Sequence, residues 1–333
     1  MLQWTFSMPV MQFLADHRTP LLTKFFLLAT FTGASEGYIL IATLIYVWFD
    51  KTLAIRLSIL VLLTMCLNHV LKIIIKNPRP FIREGTYLEK WAVSADNAKE
   101  LATEYSTPSG HAMAGSAFYS YLYAAVQSPF IRVLAVIAIF LTGLSRPYLG
   151  VHYPGDVLIG WLIGLLVALA AIKFTDKISD GWNKMSYGRQ AAIAVVGSLT
   201  LWLATIAING WRIDGQPRTF LGYAGFLSGI LLARPLELSI VDFDPRSSKL
   251  LAKVLRSVVA AAMVLGALLL LELLFRTIAA DFSVLGYLFQ YIRYTIAGFV
   301  SIFVAPLFFT KIGLAETNPV NPPNAASGLN LAV

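Results

Sequence analysis

The chain has 333 residues, of which 57% are hydrophobic and 13% charged, against about 25% charged in an ordinary soluble domain. Apolar runs of about 20 residues recur along its whole length, which excludes a soluble globular fold and predicts an all-α polytopic membrane bundle. The net charge of +8 is what Lys and Arg gathered at membrane boundaries produce, so no nucleic-acid partner is implied.

Residues 1–21 read as an interfacial N-terminal segment. Their first part is short and amphipathic, with Trp4 and Phe6. No cleavable signal peptide is expected, because Met1–Pro20 lacks a basic start followed by a continuous apolar core. About nine spans are predicted after it, at roughly 22–48, 53–76, 110–126, 130–146, 155–173, 190–209, 218–236, 253–275 and 287–310. The first span holds Glu36, a carboxylate deep in apolar sequence. It is either an accessory functional group or a structural partner for a neighbouring helix.

The second span ends in Lys72-Ile-Ile-Ile-Lys76-Asn-Pro-Arg79-Pro80. A helix continuing through this stretch would put Lys72, Lys76 and Arg79 on one face, before Pro78 and Pro80 break it and aim Arg79. Taken alone, the block also fits a basic membrane boundary with snorkelling lysines. His69, one turn earlier, reads as a packing histidine. The single cysteine, Cys66, excludes an intrachain disulfide. Residues 81–107 form a long polar connection, either a lid or a plain solvated link. The third span opens at Pro108-Ser109-Gly110-His111. Ser109 is an N-cap candidate, and Gly110 lets a ligand approach the backbone. The free N–H groups there favour an anion. The fourth span ends in Ser145-Arg146. His152 and Asp156 flank the start of the fifth, four residues apart, so a helical turn would let the carboxylate orient the ring.

Beyond the fifth span the links carry Lys177, Lys184 and Arg189, then Asp242, Asp244, Arg246 and Lys249. Glu272 and Arg276 have helix ion-pair spacing, and Arg293 is placed to snorkel or pair. The tail is rich in Pro and Asn and is expected to be disordered. The predicted organisation is an N-terminal segment 1–21, a five-span core 22–173 holding all three polar blocks, a four-span extension 174–312 and a tail 313–333.

Alternating spans bring the three blocks to one membrane face. Together they offer several cations, a helix N-terminus, two histidines and one carboxylate. That set suits a phosphate site with a nucleophile and an acid, so a membrane-embedded phosphatase is expected. The lysines and arginine of link 174–189 fall on the other side. The positive-inside rule makes that side cytoplasmic and the site external: periplasmic in a bacterial inner membrane, lumenal in an endomembrane.

The three blocks resemble, in order and spacing, the tripartite motif of the type 2 phosphatidic acid phosphatase and vanadium haloperoxidase superfamily. That motif reads Lys-x6-Arg-Pro, Pro-Ser-Gly-His and Ser-Arg-x5-His-x3-Asp, and every position is filled here. The likeness covers roughly residues 30–173. Nine spans with an external N-terminus resemble glucose-6-phosphatase and the sphingosine-phosphate phosphatases more than the six-span lipid phosphatases. The resemblance implies that His152 attacks phosphorus and becomes a phosphohistidine, with Asp156 holding its ring. It implies that Lys72, Arg79, Ser109, Gly110 and Arg146 hold the phosphate oxygens. His111 would protonate the leaving oxygen and then activate water. Cofactors are expected to be none: no metal is required, because protein cations neutralise the transferring group. Lys76 fits no motif position and is kept as an accessory charge, beside Glu36.

The expected partners are membrane lipids and a phosphorylated substrate, a lipid or polyprenyl phosphate first. A lipid phosphotransferase and a glucose-6-phosphatase-like sugar-phosphate phosphatase are the alternatives. A phosphate-lipid carrier or scaffold is the non-enzyme reading.

Overall fold

The computed structural model describes residues 5–85, 87–211, 218–246, 249–280 and 283–318. The N-terminal region folds as α1 (Ser7–Asp16), α2 (Pro20–Phe31) and α3 (Ser35–Trp48). The core continues as α4 (Lys51–Ile75), α5 (Pro80–Arg83), α6 (Ala95–Ala102), α7 (Gly110–Ala125), α8 (Pro129–Tyr148) and α9 (Pro154–Asn183). Then come α10 (Tyr187–Ile208), α11 (Arg218–Leu236), α12 (Leu250–Arg276), α13 (Val284–Phe299) and α14 (Ala305–Lys311). Single π turns, Glu237–Val241 and Val300–Val304, follow α11 and α13. The tail beyond residue 318 and the first four residues, including Trp4, lie outside the described residues.

Among the described residues, seven helical stretches are long and apolar enough to cross a membrane. They comprise α4 running into α5, then α8, α9, α10, α11 with its π turn, α12, and α13 running into α14. Two of the nine predicted spans are not among these seven. The first predicted span is two helices, because Ala34 is extended and the Thr32 hydroxyl turns back onto the Ala29 carbonyl at 2.8 Å. The third, α7, has 16 residues, about 24 Å of helix at 1.5 Å per residue. The N-terminal segment also does more than lie at a surface. Arg18 donates to the carbonyls of Tyr148 at 2.9 Å and Tyr87 at 2.6 Å, tying the chain start to the end of α8 and to the 81–107 connection.

Helices approach closely where side chains are small. A Cβ on Gly164 of α9 would sit 2.2 Å from the Met113 carbonyl oxygen of α7, and one on Gly229 of α11 would sit 2.2 Å from the Thr295 oxygen of α13. Such crossings gain van der Waals contact that bulkier residues would prevent. Outward faces remain apolar: Leu265, Leu269, Leu270 and Leu273 of α12 are all exposed, as a lipid-facing helix requires. At the end of the bundle where α4 begins, Lys51 Nζ lies 2.7 Å from both Glu237 Oε1 and Asp242 Oδ1. The π turn aims the fully buried Glu237 inward, and the pairs fix the extension against the start of α4. Buried pairs of this kind set register more than they add stability. The Glu272–Arg276 pair forms at 2.6 Å, and Arg293 joins Glu272 at 2.9 Å.

Candidate active site

The C-terminal ends of α4 and α8 and the N-terminal ends of α7 and α9 meet at the opposite end of the bundle. The Ser109 N–H donates to the Asp156 carbonyl at 3.0 Å, and Asn68 Nδ2 to the Pro108 carbonyl at 3.0 Å. These bonds join α7 to α9 and to α4.

His152 lies in the turn before α9, 2% exposed. Its Nε2 is 3.0 Å from Arg79 Nη1. Its Nδ1 is 3.3 Å from Ser106 Oγ and 3.5 Å from Asp156 Oδ2. Arg79 can only donate, so Nε2 accepts and the ring proton sits on Nδ1, facing Ser106 and Asp156. Burial, then Arg79 and Arg146, hold the ring well below the usual imidazole range, so it is neutral at pH 7. Asp156 is saturated with donors. Ser106 Oγ donates to Oδ2, Thr107 Oγ1 to Oδ1, and the Tyr153 N–H to Oδ2 at 2.9 Å. The last bond is half of a capping box, so one carboxylate both starts α9 and fixes the histidine. Asn77 supports the group from below. Its Nδ2 donates to Thr107 Oγ1 at 2.9 Å, and its carbonyl accepts the Ser106 N–H at 2.7 Å.

The cations lie on the other side of the imidazole. Arg79, 1% exposed, also donates to the Val151 carbonyl at 3.1 Å and the Glu104 carbonyl at 3.2 Å. Lys72 Nζ meets Glu104 Oε2 at 2.5 Å. Burial would raise the Glu104 carboxyl, but Lys72 and then Arg79 outweigh it and hold it at about 2. Arg146 Nη1 donates to Thr30 Oγ1 of α2 at 2.7 Å, whereas its buried Nε has no partner. Ser109 occupies the N-cap of α7 but makes no side-chain cap bond, and its buried hydroxyl is also unpartnered. Unmatched buried donors are rare because each costs about 1–3 kcal/mol. Here two of them stand in a cation-rich site, the arrangement an anion would satisfy. His111, second residue of α7, is partly exposed, and the charges of Arg146, His152, Lys72 and Arg79 act on its ring.

Several expectations change. Lys76 does not share a face with Lys72 and Arg79. The helix stops at Ile75, Lys76 turns left-handed with φ 53°, and its side chain is exposed. Pro78 disfavours helical geometry at Asn77, so the chain reaches Arg79 by an extended turn. Glu36 lies in α3, and its side chain lies outside the described residues. The 81–107 connection is more than a solvated link, since Glu104, Ser106 and Thr107 enter the site. These three, with Asn77 and Thr30, were missed in the sequence. Its one signal was two adjacent hydroxyls directly before Pro108-Ser109. Among the described residues, no group of three or more His, Cys, Asp or Glu side chains is gathered as a metal site.

Residues 53–180 match the PAP2 superfamily, and residues 221–317 match the PAP2 superfamily phosphatase transmembrane extension. Sphingosine-1-phosphate phosphatase 1 of Mus musculus is 28% identical over 323 residues, 87% of this chain and 72% of that protein. Undecaprenyl-diphosphatase of Sulfolobus acidocaldarius is 31% identical over 141 residues, 38% of this chain and 63% of that protein. Glucose-6-phosphatase 3 of Rattus norvegicus is 28% identical over 183 residues, 50% of this chain and 52% of that protein.

Proposed function

We propose that this chain, a membrane phosphatase with a PAP2 superfamily domain and its transmembrane extension, hydrolyses a lipid or polyprenyl phosphate through a phosphohistidine on His152. The observation that carries this reading is the ring itself: neutral, buried, with Nδ1–H fixed and Nε2 aimed at a guanidinium beside unpartnered donors.

In the first step the Nε2 lone pair forms the N–P bond as the P–O bond to the alcohol breaks. His111, protonated once the bound phosphate dianion offsets the surrounding cations, gives that proton to the leaving oxygen. Asp156 and Ser106 stabilise the positive charge that develops on the His152 ring. Lys72, Arg79, Arg146 and the N-terminus of α7 hold the three equatorial oxygens, where preorganised donors act most strongly. In the second step His111 takes a proton from water and the water oxygen attacks phosphorus. The N–P bond electrons return to Nε2 and inorganic phosphate leaves. An alcohol in place of water would give phosphotransfer.

The substrate reading is supported by the position of the site at one end of membrane-length helices and by the sphingosine-phosphate and undecaprenyl-diphosphate relatives. The glucose-6-phosphatase relative supports a sugar phosphate as the second reading. We place the site outside the cytoplasm, because Lys177, Lys184 and Arg189 gather at the opposite end. The two family matches support dividing the chain into a phosphatase core, 22–173, and an extension, 174–312. Counting α2–α3 and α7 as crossings gives about nine passes.

The test is phosphate release by the purified full chain in excess chelator, from sphingosine phosphate, polyprenyl phosphate and glucose 6-phosphate, with and without an added alcohol. Rapid acid quench would look for an acid-labile phosphoenzyme. Lipid hydrolysis with labelled His152 is expected. Preference for glucose 6-phosphate would replace the lipid reading, and a labelled His152→Ala enzyme would remove the nucleophile. Activity that disappears in chelator and returns with magnesium would overturn catalysis by protein cations alone.

A further inference from the structure

Glu104 sits where the phosphate reading needs an anion. Its Oε2 is 2.5 Å from Lys72 Nζ and 3.6 Å from Arg79 Nη2, two of the cations read as phosphate ligands. Carboxylate and phosphoryl oxygens are recognised by the same ammonium and guanidinium donors, so both cannot hold these positions at once. The Glu104 pairing is also asymmetric, since the carboxylate is in hydrogen-bond range of Lys72 but not of Arg79. Its side chain is 26% exposed, against 8% for Lys72 and 2% for Arg79. It therefore lies on the solvent side of both cations. Ser106, two residues on, is held by Asn77 through the backbone, so a swing of Glu104 need not disturb the His152–Asp156 pair.

We propose that Glu104 is a displaceable resident anion that occupies the phosphate position of the empty site and competes with every anion that enters. The proposal rests on reading Lys72 and Arg79 as phosphate ligands. It makes Glu104 a specificity-determining residue. A phosphomonoester dianion brings two charges where the carboxylate brings one, whereas a phosphodiester brings only one and gains little by exchange. With its pKa held at about 2 by Lys72 and Arg79, the carboxylate is ionised at neutral pH.

The test compares the wild-type chain with Glu104→Gln and Glu104→Asp, reading Ki for orthovanadate and inorganic phosphate together with KM and kcat for the lipid substrate. If the carboxylate blocks the cations about nine-tenths of the time, removing its charge should tighten vanadate and phosphate about tenfold. Shortening it to Asp should tighten them about threefold, and KM should fall with Ki. A purely structural carboxylate would lower kcat or thermal stability without tightening either inhibitor. Unchanged or weaker inhibition in whichever variants fold would overturn the proposal. Wild-type protein that neither releases phosphate nor binds vanadate would instead overturn the phosphate-site reading, and this proposal with it.

Discussion

Ser106 and Thr107 allow an internally controlled test of how His152 is positioned. Both hydroxyls donate to Asp156, but only Ser106 Oγ also reaches His152 Nδ1, at 3.3 Å. Ser106→Ala and Thr107→Val each delete one hydrogen bond to a buried carboxylate, worth about 1.5–3 kcal/mol of stability. Thr107→Val also strips Asn77 Nδ2 of the acceptor it has at 2.9 Å, so it should be the more destabilising of the two. Catalysis should rank the other way. Ser106→Ala leaves Nδ1 with only Asp156 Oδ2, 3.5 Å away, as the ring becomes positive in the transition state. Losing about 1.5–3 kcal/mol there lowers kcat roughly 10- to 150-fold, while Thr107→Val should stay within about threefold of wild type. The assay is single-turnover phosphate release, read beside thermal unfolding of each variant. Equal losses of kcat in the two variants, or a Ser106→Ala enzyme as active as wild type, would refute the positioning argument.

Arg146→Ala should lower kcat by about 10²–10³, and Arg146→Lys should remain impaired because one ammonium cannot replace both Nη1 on Thr30 and the free Nε; near-normal turnover of the Lys variant would refute the assignment. The His152 ring refuses a proton that the unfolded chain accepts near pH 6.5. Stability should therefore be complete above that pH and fall as pH drops below it, and His152→Gln should flatten the decline in Tm between pH 7 and 5. Glu104 works in a lower window. Its contribution is complete above about 4.5 and is lost as pH falls toward about 2, which Glu104→Gln should remove from an acid-unfolding curve. Gly164→Ala puts a methyl 2.2 Å from the Met113 carbonyl and should cost about 1–3 kcal/mol or more, against almost nothing for Gly197→Ala, whose Cβ would meet open space; equal Tm values would contradict the close α7–α9 crossing.

Most of the helices and all of the motif residues were legible in the sequence. Apolar runs declare membrane helices because lipid offers no partner to a bare backbone. Lys72, Arg79, Ser109, His111, Arg146, His152 and Asp156 stood out because polar residues are costly in such surroundings and their spacing was local. Span alternation alone was enough to predict that the three blocks share one end. The sequence could not show what a polar connection does when it folds back. Glu104, Ser106 and Thr107 sit among other polar residues with no period to mark them. Their importance comes from contacts 32 to 50 residues away, with Lys72, His152 and Asp156. The break between α2 and α3, and the left-handed stop that sends Lys76 away from the site, were likewise decided by local hydrogen bonds and a proline that apolar patterning does not register. Hydrophobicity, a property of each segment, set where most of the helices run. Charge pairing and donor satisfaction belong to the whole molecule, and they set which loop residues complete the site.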